Sequence, residues 1–182
     1  MALTDEYAAA LMPLGRAFEA YAKVTGHSPV LVGGAATAIY TAGQFPSGDF
    51  DVVAARDKAF NAAMLEHGFI HEDRPGKLKV GFYHPDHLKF GYQQVTGPLF
   101  GGLSDRNRLV RVTVTEDDDA VMLPSVEDLI ADRLGQHAVA SPTDDSRLLQ
   151  AKALFNLAET VDIPYLRQRI SDEQGDPALI GL

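Results

Sequence analysis

A chain of 182 residues, 46% of them hydrophobic, suits one domain or a core with a small helical appendage, and the lack of cysteine excludes disulfides and thiolate chemistry. The net charge of −9 argues against bulk nucleic-acid binding. Within residues 74–111, however, Arg74, Lys77, Lys79, Lys89, Arg106, Arg108 and Arg111 outweigh Asp86 and Asp105, which makes either a phosphate-receiving segment or a solvated mixed-charge surface. No stretch nears the roughly 18–20 unbroken apolar residues of a membrane span, and MALTDEYAAALMPLG lacks a signal peptide's basic start and apolar run, so the expected compartment is the cytoplasm.

Thr4 followed by Asp5 and Glu6 reads as a helix start, and Leu11, Leu14, Phe18 and Tyr21 form its apolar face. Pro13 predicts a kink or a fresh start, and Gly26 to Pro29 ends the element. Val30 to Val32 reads as a buried strand, Ala35 to Ala42 as a short helix, and Gly43 to Gly48 as a loop. A strand over Asp49–Ala54 precedes a helix capped by Asp57 and closed by Gly68. Residues 69–115 read as β-structure, with strands over 79–83, 87–93 and 109–115 separated by polar or glycine-rich turns. The acidic run Glu116–Asp119 lacks the glycine and terminal glutamate of a calcium loop and reads as a solvated turn, and His84 with His87 makes a poor zinc pair. Three helices follow: a capping box at Ser125–Asp128, a second start at Ser141–Asp144 with Pro142 first in the helix, and a last helix over Pro164–Gln174.

The chemistry concentrates in LVGGAATAIYTAGQFPSGDFDVV, residues 31–53. Alternation along a strand sends Phe50 and Val52 into the core and puts Asp49 and Asp51 on the same face, roughly 6–7 Å apart at Cβ, near enough to bridge a divalent cation. Like charges side by side oppose strand stability, which favours a functional pair over a solvent-facing pair on an edge strand. Gly33-Gly34 stands at a helix N-terminus, where free N–H groups favour an anion, or serves as a tight strand-to-helix turn.

This order of strand, Gly-Gly, helix and Asp-x-Asp strand resembles the nucleotidyltransferase superfamily, the polymerase-β-like fold. The resemblance implies that Gly33, Gly34 and Ser47 hold a triphosphate and that Asp49 and Asp51 hold Mg²⁺. It extends to LPSVEDLIADRLGQHAVASPTDDSRLLQAKALF, which is similar to a segment of toxin-like and uncharacterised bacterial nucleotidyltransferases. There a basic residue of the first helix, here Arg133, faces the nucleotide, and the next helix carries an arginine, here Arg147. On its own residues, Arg133 reads equally well as an exposed helix position paired with Asp132 or Glu127. The family's third carboxylate lies on a later strand; counting back from Gly97-Pro98-Leu99 puts Gln93 there, which can offer an amide oxygen to the metal but cannot act as a base. Asp86 and the Glu72–Asp73 pair are the other sources of an acid.

The expectation is thus an α/β (α+β) fold: a nucleotidyltransferase-like mixed sheet flanked by helices over residues 1–122, with a helical segment, 123–182, capping it. The implied activity is Mg²⁺-dependent transfer of a nucleoside monophosphate from an NTP, with ATP the first choice, to a hydroxyl of an RNA end, a protein side chain or a small molecule. The alternatives are a degenerate nucleotide-binding or protein-interaction module, supported by Gln93, and a toxin neutralised by an antitoxin-like protein partner.

Overall fold

A computed structural model of the protein describes residues 3–55, 58–76 and 79–182. Its first helix, α1 (Asp5–Thr25), is capped by Thr4, whose Oγ1 accepts from the Tyr7 N–H at 3.2 Å, and stops at Gly26 in the left-handed region. The fresh start offered as one alternative at Pro13 does not occur; α1 is continuous through it. An internal proline costs a helix about 3 kcal/mol. Each buried leucine or phenylalanine gains about 1.5–3 kcal/mol. Leu11, Leu14 and Phe18, all buried, therefore outweigh the missing hydrogen bond.

Behind α1 lies a seven-stranded mixed sheet. Its strands are β1 (Val30–Val32), β2 (Asp49–Val53), β3 (Ile70–His71), β4 (Phe82–Tyr83), β5 (Gly91–Val95), β6 (Val110–Thr113) and β7 (Ala120–Leu123), in the order β3-β4-β5-β2-β1-β7-β6. β2 runs antiparallel to β1, with Asp51 opposite Val32, and parallel to β5, with Asp51 opposite Gln93. One face of β2 and β5 is aromatic: Phe50 stacks on Tyr92 with centroids 4.9 Å apart, and the Tyr92 hydroxyl donates to the Ala10 carbonyl of α1 at 3.0 Å. The other face carries the carboxylates at one end. Val30, Val32 and Leu99 form a small apolar cluster with Val53, Phe100 and Met122.

Helices α2 (Gly33–Tyr40) and α3 (Lys58–Glu66) connect the early strands. The expected cap of α3, Asp57, lies outside the described residues. The β-rich middle is thinner than expected. β4 is short because Gly81 precedes it at φ 85°, and a 3-10 turn over Pro85–His87, where Pro85 has no N–H for a ladder, delays β5 to Gly91. Acidic residues 117–119 sit in the β6–β7 hairpin, where Asp118 accepts from Arg111 at 2.9 Å and Asp119 from Thr115.

α4 (Val126–Ala138) starts as expected, with Ser125 Oγ accepting from the Asp128 N–H at 3.1 Å. α5 (Ser146–Leu157) starts later than Pro142, because Asp144 accepts from the Ser146 N–H at 2.9 Å and closes a turn first. α6 (Ile163–Asp172) is capped by Asp162, and a terminal 3-10 turn over Pro177–Ile180, not expected from the sequence, follows. One apolar cluster runs from Tyr7 and Phe50 to Leu134 and Ile170, so the helices after Leu123 share the interior of the sheet. α6 is fixed to α4 by a buried ion pair. Arg169, 1% exposed, donates through Nε to Asp128, 0% exposed, at 2.7 Å. Asp128 also accepts from Ser104 at 3.1 Å and from Tyr165 at 3.1 Å, which draws the loop after β5 to the same point. Among the described residues, no helix is long and apolar enough to cross a membrane.

Candidate active site

The site starts from two glycines that allow close approach. Gly33 holds φ 65°, and a Cβ there would sit 2.9 Å from Asp51 Oδ2. A Cβ on Gly34 would sit 2.8 Å from Ser47 Oγ. Side chains at either position would push the turn off β2. Ser47 in turn donates to the Asp49 carbonyl at 2.8 Å and so pins the first residue of the strand. The structure therefore brings Gly33, Gly34, Ser47, Asp49 and Asp51 together at one end of β2. Asp49 is exposed and Asp51 half-buried, while Phe50 and Val52 between them are buried. Gln93 stands in register with Asp51 on the neighbouring parallel strand, exposed on the same face. Gly91, opposite Asp49, makes room as well: a Cβ there would meet Asp49 Oδ1 at 2.6 Å.

Two cavities flank the carboxylates. The first, of about 430 Å³, is lined by polar residues, among them Gly33, Gly34, Asp51, Arg133 and Arg147, and by apolar ones such as Val53, Val95 and Phe100. The second, of about 240 Å³, is lined by Asp49, Gln93, Glu72 and Arg74.

Arg133 is not an exposed helix position. It is 3% exposed and held by Asp132, with Nε donating at 3.0 Å and Nη2 also bonded. Gln136 steadies that carboxylate from one turn further on, at 3.0 Å. Arg147, half-buried, makes no ion pair among the described residues, so its charge is available to the first cavity. Burial raises the Asp51 carboxyl above the usual carboxylate range, Asp49 adds to the rise, and Arg133 and Arg147 oppose it.

Neither alternative acid completes a carboxylate triad. Asp86 is 83% exposed in its turn and lies 4.0 Å from His84. Glu72 reaches the second cavity but is bonded to Arg74, whose guanidinium also donates to the Leu88 carbonyl at 2.6 Å. Among the described residues no three of His, Asp and Glu gather as a metal site. Two carboxylates and an amide oxygen on one face do suit Mg²⁺, which takes one or two carboxylates and completes its shell with water and phosphate oxygens.

Among the described residues, which leave out Lys77, the basic middle segment is not a continuous phosphate track. Lys89 pairs with Glu6 at 2.8 Å, Arg108 with Asp162 at 2.8 Å, Arg111 with Glu19 at 3.3 Å, and Arg74 with Glu72. Sequence reasoning named Asp132 as a partner of Arg133 but missed the supporting polar residues Gln136 and Gln150. The i,i+4 spacing of Asp132 and Gln136 was the one signal available for them.

No protein-family model matches the sequence, and no curated protein matches it either. Among solved structures, the chain is similar to an antigenic nucleotidyltransferase-like protein from Paracoccidioides brasiliensis. The TM-score is 0.56 at 14% identity, over 94% of this chain and 88% of that one. What the two share at that identity is the fold, a mixed α/β architecture.

Proposed function

We propose that the protein binds a nucleoside triphosphate with Mg²⁺ and transfers the nucleoside monophosphate to an acceptor hydroxyl. The observation that carries this reading is the convergence of the Gly33–Gly34 turn, Ser47 and the Asp49/Asp51 pair on one end of one strand. A cavity of about 430 Å³ with both polar and apolar lining fits a nucleotide, with the phosphates at Gly33, Gly34, Arg133 and Arg147 and the base against Val53 and Phe100.

Asp49 and Asp51 would hold the metal, with the Gln93 amide oxygen beside them. Bound there, Mg²⁺ would neutralise charge on the phosphates. The acceptor hydroxyl enters from the 240 Å³ cavity, where the Asp49 carboxylate takes its proton as the acceptor oxygen bonds to the α-phosphorus and pyrophosphate leaves. A cavity of that size, with its arginine already paired, favours a small hydroxylated molecule or a single side chain over an RNA track. Gln93 favours a second reading, nucleotide binding without turnover, because an amide cannot supply the missing charge.

Calorimetry with ATP, GTP, CTP and UTP, with and without Mg²⁺, tests the reading on wild type and on Asp49→Asn/Asp51→Asn. Metal-dependent binding that disappears in the double variant is expected. Binding that is metal-independent and unaffected by the substitutions would overturn it. Release of labelled pyrophosphate then separates transfer from binding alone.

A further inference from the structure

Arg133 and Arg147 come from different helices, α4 and α5, yet their Nη1 atoms donate to one and the same atom. Gln150 Oε1 accepts from Arg133 at 3.3 Å and from Arg147 at 3.5 Å. Both guanidiniums line the first cavity beside Gly33, Gly34 and Asp51. Two like charges held this close repel, and something must offset that. A carbonyl oxygen has two lone pairs, one for each donor, and carries no net charge. It therefore joins the two cations without cancelling them. Arg133 has a second anchor in Asp132, which also neutralises it. Arg147 has no other hydrogen bond among the described residues. The net positive charge of the pair thus sits on the arginine that depends most on the bridge.

We infer that Gln150 is a positioning residue that holds Arg133 and Arg147 side by side as a paired-guanidinium site for the polyphosphate end of the ligand. The inference rests on the nucleotide reading above and assigns the residue that builds its anion end. Each guanidinium keeps unbonded N–H groups in a planar fork, the arrangement that matches phosphate oxygens. The choice of glutamine follows from the charge. A glutamate at 150 would grip both arginines more strongly but cancel the charge that a phosphate needs. An apolar residue of the same length would leave the repulsion uncompensated and release Arg147.

The test uses inorganic tripolyphosphate without metal, titrated calorimetrically into wild type, Gln150→Met, Gln150→Glu, Arg147→Gln and Gln150→Met/Arg147→Gln, each with its melting temperature. Wild type is expected to bind. Gln150→Met should bind about tenfold more weakly, the cost typical of losing an outer partner that orients a binding group. Gln150→Glu should bind about a hundredfold more weakly, because it also removes charge complementarity. In the Arg147→Gln background Gln150→Met should cost nothing further. A Gln150 that serves packing alone would lower the melting temperature, leave the affinity of the folded protein unchanged, and act equally in both backgrounds. Affinities of both Gln150 variants within twofold of wild type, or equal losses in both backgrounds, would overturn the inference. So would a wild type blind to tripolyphosphate. Because the probe is metal-free, its failure is distinguishable from failure of the nucleotide reading, which turns on Mg²⁺ and the Asp49/Asp51 variants.

Discussion

Replacing Gln93 by glutamate sets a third carboxylate beside Asp51, on the strand and face where one is missing. Residues in register on neighbouring strands stand about 4.8 Å apart. Their carboxylates then lie roughly 6 Å from each other, where the repulsion is about 0.7 kcal/mol at the dielectric of water and about 2.8 kcal/mol at an effective value of 20. Position 93 is exposed, so a cost of about 1 kcal/mol is expected without metal. For a chain of this size that is about 2–4 °C of melting temperature. A bound divalent cation reverses the sign, since it gains a charged ligand, and its affinity should rise about 10–100-fold. Thermal melts in EDTA and in millimolar Mg²⁺ read both effects, and calorimetry with Mg²⁺ or Mn²⁺ gives the affinity. Gln93→Glu should melt below wild type in EDTA and above it in Mg²⁺, and Asp51→Asn in the same background should abolish the difference. Identical shifts in EDTA and in Mg²⁺ would place position 93 outside the reach of the metal and remove it from the site.

Asp51→Asn has its own pH signature. Burial raises the Asp51 carboxyl, so the folded protein holds that proton more tightly than the unfolded chain, and stability falls as pH rises from about 4 through the raised value. The variant should therefore melt about 1–3 °C higher than wild type near pH 8 and lose that advantage near pH 4; a lower melting point at pH 8 contradicts the assignment. Arg169→Met leaves Asp128 buried and deprived of its cation. Urea denaturation should show a loss of about 3–5 kcal/mol, milder when Asp128→Asn is added, and a loss below about 1 kcal/mol would show that Ser104, Ser125 and Tyr165 suffice.

The candidate site was legible in the sequence to the extent that period-2 alternation left few choices. Once Phe50 and Val52 must be buried, Asp49 and Asp51 share the other face, and the Gly33–Gly34 turn can lie against them because no Cβ intervenes. Register also survived: counting back from Gly97-Pro98-Leu99 reached Gln93, and β5 does put Gln93 opposite Asp51. What failed depended on contacts between distant residues. Arg133 looks like any helix arginine until α5 covers it. The basic segment looks like a patch until Glu6, Glu19 and Asp162 arrive from elsewhere to pair with it. Pro13 looks like the start of a second helix because local propensity says nothing about how completely the helix around it is buried. The strands between 79 and 93 were overdrawn because alternation alone gave too little weight to Gly81 and Pro85.

The buried Asp128–Arg169 pair has a consequence for how the protein comes into being. Chains leave the ribosome from the N-terminus at about 5–20 residues per second. Asp49 and Asp51 therefore emerge more than a hundred residues ahead of Arg169, and ahead of Arg133 and Arg147 as well. At that stage the carboxylates have no cationic wall from α4 and α5 to face them. The wall arrives with α4 and α5, and Arg169, which ties α6 to α4, arrives after both. The walls of the cleft are thus complete only once α4, α5 and α6 have followed the sheet.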